Sequence, residues 1–184
     1  MKGYHYIKRG IDIILSGMAI VILSPLLLFL CIAIKLDTPG PILFKQKRVG
    51  IHRSFFQIYK FRTMRIDTPK DVPTHMLENP EQYITKVGKF LRKTSLDELP
   101  QIFNIFKGEM SIVGPRPALW NQDDLVAERE KYGANDVTPG LTGWAQINGR
   151  DELEIPDKAR LDGEYVKHLG PWMDLKCAYA RWRG

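Results

Sequence analysis

The chain has 184 residues, enough for one domain with a modest hydrophobic core. Its two cysteines, Cys31 and Cys177, lie far apart, which excludes a disulfide framework and a cysteine-rich metal site and fits a reducing compartment. The net charge of +6 is unevenly placed, because residues 1–65 carry a net +9 and the remainder carries −3. This positive excess suits the anionic headgroups of membrane lipids. No nucleic-acid recognition motif accompanies it, so nucleic acid is not an expected partner.

Residues 11–36 form one long apolar segment near the start of the chain. No charged residue occurs between Ile13 and Ile34, and a helix of this length reaches roughly 33 Å, which is enough to cross the hydrocarbon core of a bilayer. The segment continues into polar sequence without a small-residue cleavage pattern. We therefore expect a membrane segment that is retained in the protein, not a signal peptide that is removed.

The middle of this segment carries Ser24-Pro25. Pro25 has no backbone N–H and clashes with the carbonyl of Val21, so a kink is expected, and the Ser24 hydroxyl could bind one freed carbonyl. Basic residues flank the segment on both sides, and such residues prefer the cytoplasmic face of a membrane. The residues alone leave two alternatives at even weight. Either the helix breaks at Ser24-Pro25 and returns to the side it entered from, or it crosses the membrane with a kink.

The next elements in the chain are two short strands, over 42–50 and 54–64, with Gly50–Arg53 as the hairpin loop. Residues 66–83 contain three prolines and many polar groups, so we expect a surface loop there that could act as a lid.

Helical patterns continue in the rest of the chain, while the glycine-rich residues 138–150 are typical of a loop. The aromatic and basic residues of the last helical stretch suit a helix lying in the membrane interface, and core packing explains them equally well. The helical stretches are 84–92, one that begins at Thr94 and ends near Gly108, 122–132 ending near Gly133, and 157–182 with a break near Gly170-Pro171.

Two adjacent carboxylates, Asp97 and Glu98, follow Arg92 and Lys93 at an apparent helix start. A structural explanation is available, since Ser95-x-x-Glu98 has the pattern of a capping box and acidic residues are favoured in a first helical turn. Taken alone, this explanation is the stronger one. The alternative is a site for an anionic substrate, in which cations bind phosphate and a carboxylate holds a divalent metal ion.

Two further basic motifs support a phosphate site without proving one. In Pro115-Arg116-Pro117, the prolines restrict the backbone on both sides of an arginine whose guanidinium suits phosphate. Lys60 and Arg62 lie at the end of the second strand, where they form either a basic rim or an ordinary exposed edge. Each motif by itself is better explained as surface structure.

Taken together and in order, the motifs resemble the bacterial sugar transferase family, the monotopic phosphoglycosyl transferases. The resemblance is to the small type, which contains little more than the catalytic unit, and it extends from about Tyr6 to Asp174. The motifs that carry it are KRGIDI (8–13), the segment centred on Ser24-Pro25, KFRTM (60–64), LRKTSLDELPQIFNIFKGEMSIVGPRP (91–117) and TGWAQINGR (142–150).

The resemblance implies an α+β, mainly helical fold with a re-entrant membrane helix (1–36) broken at Ser24-Pro25. Residues 37–184 would form a catalytic domain with a small β-hairpin and interfacial amphipathic helices, integrated with that helix at the cytoplasmic face of the bacterial inner membrane. It also implies transfer of a sugar-1-phosphate from a UDP-sugar to polyprenyl (undecaprenyl) phosphate with release of UMP, the first membrane-committed step of glycoconjugate synthesis.

The resemblance assigns a role to each candidate site residue. Asp97 would be the nucleophile that forms a phosphosugar-aspartyl intermediate, and Glu98 would bind Mg²⁺. Arg92 would hold the polyprenyl phosphate, and Arg116, between Pro115 and Pro117, would contact the nucleotide. Lys60 and Arg62 would complete the basic rim.

Other classes of protein remain as alternatives, chiefly a non-catalytic membrane-surface adaptor and, less so, a nucleotide-sugar hydrolase. Membrane lipids are expected partners in either case. The sequence leaves open the sugar, the glycan pathway, and any association with a second copy of the chain or with pathway glycosyltransferases.

Overall fold

A computed structural model of the chain describes residues 2–68, 79–149 and 153–183. Within these ranges the protein is mainly helical with two small two-stranded sheets, which confirms the α+β prediction. The helices are α1 (Lys2–Asp37), α2 (Lys86–Thr94), α3 (Gln101–Lys107), α4 (Asp123–Glu130), α5 (Trp144–Ile147), α6 (Ile155–Lys167) and α7 (Pro171–Arg183), and the strands are β1 (Leu43–Val49), β2 (Phe55–Phe61), β3 (Ser111–Val113) and β4 (Gly140–Thr142).

Helix α1 is the element whose length and composition match a membrane segment. Among the described residues, it alone is long and apolar enough to cross a bilayer, and only 11% of its most apolar 18-residue window is buried within the chain. Val21, Ile22 and Phe29 are each about two-thirds exposed or more. A soluble protein rarely exposes so large an apolar surface, so this face of α1 requires an apolar environment.

The helix continues without interruption through Ser24 and Pro25, so the predicted break is not an end of the helix. The Ser24 hydroxyl donates a 2.8 Å hydrogen bond to the carbonyl of Val21, which Pro25 leaves without its usual helical partner. This bond confirms the expected function of Ser24. The helix therefore accommodates the proline locally because a side chain supplies the missing donor.

Both halves of α1 contact the rest of the chain. In the second half, Leu27, Leu30 and Ile34 are buried in a core that includes Phe61 of β2 and Leu91 of α2. Lys35 then donates to the carbonyl of Gly40, and the Asp37 carboxylate accepts the Val87 N–H. The Asp37 bond fixes the end of α1 against the start of α2, and the Lys35 bond holds the turn that follows α1.

The first half of α1 is attached by polar side chains. Arg9 donates to the carbonyls of Ile105 and Phe106 at the end of α3, at 2.6 and 2.7 Å. The buried Asp12 carboxylate accepts the backbone N–H of Ile112 in β3. Asp174 of α7 accepts hydrogen bonds from both Tyr4 and Lys8.

The predicted hairpin is confirmed, with β1 and β2 antiparallel from Leu43 opposite Phe61 to Val49 opposite Phe55. Its turn is a short 3-10 segment in which His52 adopts a positive φ of 52°. Phe56 and Ile58 are buried on one face of β2. Because side chains alternate along a strand, Lys60 extends from this same face.

The glycine-rich region 138–150 was predicted to be a loop, but part of it has regular structure. It contains β4, which pairs in parallel with β3, followed by the short helix α5. Gly140 and Gly143 pack against the backbone of Gly114 so closely that a Cβ at either position would clash with it. Three-residue strands give little periodic signal, and these glycines are required by close backbone approach.

Several loop predictions have mixed outcomes. The break near Gly170-Pro171 is confirmed, since α6 ends at Lys167 and α7 begins at Pro171. Residues 66–68 form a turn, and Pro80–Gln82 form a 3-10 segment. The predicted lid falls largely on 69–78, which lie outside the described residues, as does Arg150.

Candidate active site

The corner between α2 and α3 positions the two candidate carboxylates. Helix α2 ends at Thr94 and is capped by Ser95, which has left-handed backbone angles (φ 56°, ψ 16°) and donates its N–H to the carbonyls of Leu91 and Arg92. Its side chain makes no capping hydrogen bond, so the predicted capping box with Glu98 is wrong. A left-handed conformation at a residue other than glycine costs about 1–3 kcal/mol and tends to occur at functional sites.

Glu98 is held by cations from two other parts of the chain. Lys60 Nζ lies 2.8 Å from Glu98 Oε1, and Arg116 Nη2 lies 3.8 Å from the same oxygen. Burial alone would raise the pKa of Glu98. The charge and hydrogen bond of Lys60, with the charge of Arg116, outweigh burial and hold that pKa below its usual value. Glu98 is therefore a stably ionised carboxylate.

Asp97 has the opposite environment although it is the next residue. Its carboxylate makes no ion pair or hydrogen bond with another side chain in the described ranges. Burial raises the pKa of Asp97, the charge of Lys60 opposes this, and neighbouring Glu98 adds to it. Two adjacent carboxylates with pKa values shifted in opposite directions are typical of a site in which each has a different function.

Additional positive charge surrounds this pair. Arg92 is half-buried, and its Nε donates a 2.9 Å hydrogen bond to Thr63 Oγ1. Its charge also contributes to lowering the pKa of Asp97. Arg181 of α7 lowers the pKa of Glu98 in the same way, so a fourth cation reaches the site from the last helix. Such a set of charges favours a polyanionic ligand.

The Pro115-Arg116-Pro117 segment is fixed by its backbone. Both prolines are buried, while the Arg116 side chain is 41% exposed. The Gly140 N–H donates to the Pro115 carbonyl at 2.8 Å, and Arg48 Nη1 donates to the Pro117 carbonyl at 3.0 Å. The arginine is therefore presented from a rigid loop, unlike a solvated arginine in a plain turn.

A small, shallow pocket opens between the hairpin, the start of α3 and this rigid loop. Its lining combines cationic, amide and apolar groups, and the cations favour an anionic group of a ligand. The lining residues are Arg48, Ile58, Lys60, Gln101, Arg116, Pro117 and Gly140.

Arg62 has a different environment from the predicted basic rim. It is buried, and its guanidinium donates to the carbonyls of Thr38 and Pro39 just after α1. These bonds satisfy backbone carbonyls where the chain leaves α1, so Arg62 stabilises the fold at this point. The structure thus brings together Lys60, Arg92, Asp97, Glu98 and Arg116, and it places Arg62 at the exit of α1.

Sequence reasoning missed Arg48, Gln101 and Arg181. Arg48 lies opposite the buried Phe56 in the hairpin register. A correct register would have placed this charged residue next to the core, and that unusual position could have marked it as a candidate. Gln101 falls within the long motif of residues 91–117, where nothing in the local pattern distinguishes it from its neighbours. Arg181 is one of several basic residues in the last helix, and no local pattern distinguishes it.

The donor set fits Mg²⁺ in one particular mode. Within the ranges that the structure describes, no group of three or more His, Cys, Asp or Glu side chains could enclose a metal ion. Mg²⁺ is often held by one or two carboxylates together with substrate phosphates. Oε1 of Glu98 is paired with Lys60, whereas Oε2 accepts no hydrogen bond from a described residue. Asp97 and Glu98 therefore fit a Mg²⁺ site whose remaining ligands are substrate phosphates and water.

The fold and the site define a membrane-associated protein in which Lys60 and Arg116 line a cationic pocket and also contact Glu98, the neighbour of Asp97. The chain matches the model of the family described as bacterial sugar transferase over residues 3–183, so it belongs to that family.

Several curated relatives are similar to nearly the whole chain. It is 40% identical to the UDP-glucose:undecaprenyl-phosphate glucose-1-phosphate transferase of Escherichia coli (strain K12), covering 94% of this chain and 39% of that protein. It is 39% identical to the UDP-N-acetylgalactosamine-undecaprenyl-phosphate N-acetylgalactosaminephosphotransferase of Aeromonas hydrophila, covering 94% and 42% respectively. An uncharacterized sugar transferase, EpsL, of Bacillus subtilis (strain 168) is 39% identical, with 92% and 82% covered. The chain spans about two-fifths of the length of the first two relatives.

Proposed function

We propose that the protein transfers a sugar-1-phosphate from a UDP-sugar to undecaprenyl phosphate, or a similar polyprenyl phosphate, and releases UMP. One observation carries this proposal most directly. Asp97 is a partly buried carboxylate without a side-chain partner in the described ranges, and it lies beside a carboxylate that two cations hold in its ionised form. The names of the relatives supply the substrate class.

In the first step, an Asp97 carboxylate oxygen attacks the phosphorus that bears the sugar. The bond from this phosphorus to the oxygen bridging it to UMP breaks, UMP leaves with that oxygen, and a phosphosugar-aspartyl intermediate forms. Attack by an anion on an anion requires neighbouring positive charge. Lys60 and Arg116 supply positive charge beside Glu98, the neighbour of Asp97. Arg92 supplies further charge, since it is close enough to lower the pKa of Asp97.

In the second step, a phosphate oxygen of the polyprenyl phosphate attacks the same phosphorus and the Asp97 carboxylate leaves. The product is a polyprenyl diphosphate sugar, and the free enzyme is restored. Arg92 is the residue we assign to the acceptor phosphate. Division into two steps means that the soluble donor and the membrane-anchored acceptor need not be bound together.

Mg²⁺ held by Glu98, with Asp97 nearby, would offset the negative charge of the pyrophosphate and of the leaving UMP. Lys60 keeps Glu98 ionised for this task, and Arg116 adds a fixed charge at the nucleotide side.

We also propose that α1 is re-entrant and that the domain lies at the cytoplasmic face of the inner membrane. This is supported by the contacts of both ends of α1 with the same polar domain, through Arg9 and Asp12 at one end and Asp37 at the other. A straight crossing would put one set of contacts on the far side of about 30 Å of hydrocarbon. The basic residues at both ends favour the cytoplasmic side.

Topology is tested by labelling the start of α1 in intact cells. Gly3→Cys in a Cys31→Ser background should react with a membrane-impermeant thiol reagent only after the inner membrane is opened, and so should Glu81→Cys in the domain. Labelling of Gly3→Cys alone in cells with an intact inner membrane but a permeable outer membrane would contradict the re-entrant arrangement.

Helix α7 would complete the attachment by lying in the membrane interface. Trp172, Leu175 and Tyr179 are 83%, 61% and 54% exposed, and their spacing places them on one side of the helix. Aromatic residues of this kind are favoured at the headgroup level of a bilayer. This arrangement would keep Arg181, near the end of α7, beside the polyprenyl phosphate headgroup.

The reaction is tested by measuring UMP release from a panel of UDP-sugars in the presence of Mg²⁺, with and without undecaprenyl phosphate. The panel should include glucose, galactose and N-acetylgalactosamine donors, which the relatives' names contain. Acceptor-dependent turnover with one donor supports the transferase. Release that is independent of the acceptor over many turnovers indicates a hydrolase, and no release from folded protein across the panel favours the adaptor.

A further inference from the structure

Gln101, the first residue of α3, has a buried side chain whose amide bonds to no residue that the structure describes. It is 3% exposed, and its side chain makes no hydrogen bond with any residue in the described part of the chain. It lines the same pocket as Lys60 and Arg116. The backbone from Leu96 through Gln101 is helical or nearly so, which places Gln101 one turn after Asp97 on the same side.

Most buried polar side chains in proteins have a hydrogen-bond partner. Neither polar atom of the Gln101 side chain is both sealed from solvent and unsatisfied, so the amide keeps access to the pocket that it lines. Asn104 in the same helix shows the ordinary arrangement. It is fully buried, accepts the Tyr59 N–H, and donates to the Gln57 carbonyl and to Glu109. Asn104 therefore holds the fold together, whereas the Gln101 amide faces the pocket.

We propose that Gln101 contacts the donor substrate, with its Nε2–H donating to an oxygen of the phosphoryl group that Asp97 attacks. This inference rests on the proposed function and adds a substrate-binding residue to it. Three pocket cations, Arg48, Lys60 and Arg116, favour an anionic ligand. Gln101 follows Asp97 by about one turn of nearly helical backbone, which brings the amide close to the phosphate that Asp97 would attack.

A neutral donor suits this position better than a further cation. A lysine or arginine one turn from Asp97 would pair with its carboxylate, lower its pKa and weaken it as a nucleophile. An amide donates a hydrogen bond to the phosphoryl oxygen without forming that ion pair. Preorganised donors of this kind contribute most where negative charge is redistributed in the transition state.

The test uses two variants of nearly the same size as glutamine. Gln101→Met removes the donor, and Gln101→Glu replaces it with a second carboxylate that repels the phosphate. We expect kcat/KM for UMP release to fall by about tenfold or more in Gln101→Met and by about 10²–10³-fold in Gln101→Glu. The matched control is Gln57→Glu, the same change at an exposed position of β2, which should leave kcat/KM unchanged.

Thermal unfolding separates substrate contact from a structural role. If Gln101 were structural, Gln101→Met would lower both the melting temperature and the activity. Because its amide bonds to no described residue, we expect Gln101→Met to melt close to the wild-type temperature while losing activity. Added UDP should raise the melting temperature of wild-type protein more than that of Gln101→Glu.

Two outcomes would overturn the inference, and they are distinguishable. Active wild-type protein together with a fully active Gln101→Met variant would refute the function of Gln101 alone. Folded wild-type protein that releases no UMP from any donor would refute the proposed function, and the assignment of Gln101 with it.

Discussion

Lys60 and Glu98 are joined by a 2.8 Å ion pair between Nζ and Oε1, although they lie 38 residues apart in the chain. Their side chains are 19% and 21% exposed, so water screens this pair only in part. The pair links the β-hairpin to the corner that carries Asp97. It also makes the two neighbouring carboxylates unequal, because Lys60 forms its hydrogen bond with Glu98 and not with Asp97.

Removal of the Lys60 charge should move the pH dependence of the reaction. In Lys60→Met, burial acts on Glu98 without its main opposing charge, so the pKa of Glu98 rises and the carboxylate is protonated at higher pH. The pKa of Asp97 rises as well, because Lys60 also lowers it. The acidic limb of the kcat/KM profile for UMP release should therefore shift to higher pH, and activity at neutral pH should fall by about 10²-fold.

Two variants make this result specific. Lys60→Arg keeps a positive charge and should retain the acidic limb close to its wild-type position. Lys131→Met removes a charge from an exposed lysine at the end of α4 and should change nothing. An unshifted acidic limb in an otherwise slower Lys60→Met enzyme would show that Lys60 does not control the ionisation of the site.

Asp97→Asn should abolish turnover and leave the fold intact. The amide has nearly the same shape, and Asp97 makes no side-chain pair in the described ranges that the change would break. Loss of a nucleophile typically costs at least about 10³-fold in kcat. Mass spectrometry of wild-type protein mixed with donor alone should detect a mass increase equal to the sugar phosphate, and Asp97→Asn should not show it.

The control for this variant is Asp123→Asn, at an exposed position in the first turn of α4, where only a small effect on helix stability is expected. An Asp97→Asn protein with substantial turnover would exclude Asp97 as the nucleophile, unless storage had deamidated it. The mass spectrum of the variant itself, which differs from the wild type by about one dalton, distinguishes these two cases.

Elements with a strong local pattern could be predicted from the sequence. The alternation of Phe56 and Ile58 predicted the hairpin, and Gly108 predicted the end of α3, where it adopts a left-handed conformation. The strand β4 could not be found in this way. It has three residues and exists because Gly140 and Gly114 approach each other, and that contact joins distant parts of the chain.

The site shows the same division between local and distant effects. The sequence placed Ser95 and Glu98 at the spacing of a capping box, yet Lys60 and Arg116 bind the Glu98 carboxylate instead. Lys60 and Arg62 look equivalent in the sequence, being two residues apart. Their environments differ because Arg62 meets the carbonyls that follow α1, and a single sequence does not reveal that contact.

Arg48 should act on substrate binding through the position of Arg116. Its guanidinium donates to the carbonyl of Pro117 at 3.0 Å and to Gln46 Oε1 at 2.7 Å. Loss of these bonds in Arg48→Met frees the rigid loop, so Arg116 is held less well. We expect KM for the UDP-sugar to rise by about tenfold with a smaller change in kcat, measured by initial rates of UMP release.

Arg48→Lys keeps the charge at this position but loses the two-sided donor geometry, so it should resemble Arg48→Met if positioning is the main function of Arg48. Full recovery of KM in Arg48→Lys would instead indicate that only the positive charge matters. A fall in kcat at unchanged KM would contradict the argument that Arg48 acts through the nucleotide side of the pocket.

Asp174 should determine how firmly the start of α1 is attached to the domain. One carboxylate oxygen accepts from Tyr4 and Lys8 of α1, and the other accepts from Tyr165 of α6 at 2.7 Å. The Lys8 and Asp174 side chains are only 12% and 14% exposed, so Asp174→Ala leaves a shielded ammonium group without its counter-ion. We expect a loss of about 2–3 kcal/mol in unfolding free energy, measured by thermal or denaturant unfolding in nanodiscs.

The appropriate comparison is Asp67→Ala, which breaks an equally short ion pair with Arg65 in which both side chains are more than half exposed. Because water screens exposed charges, that variant should lose less than about 1 kcal/mol. The cysteine at position 3 adds a second readout, since release of the Asp174 contacts should speed its labelling once the inner membrane is opened. Equal stability of the two variants, with unchanged labelling, would mean that the apolar contacts of Leu27, Leu30 and Ile34 hold α1 in place without help from its first turns.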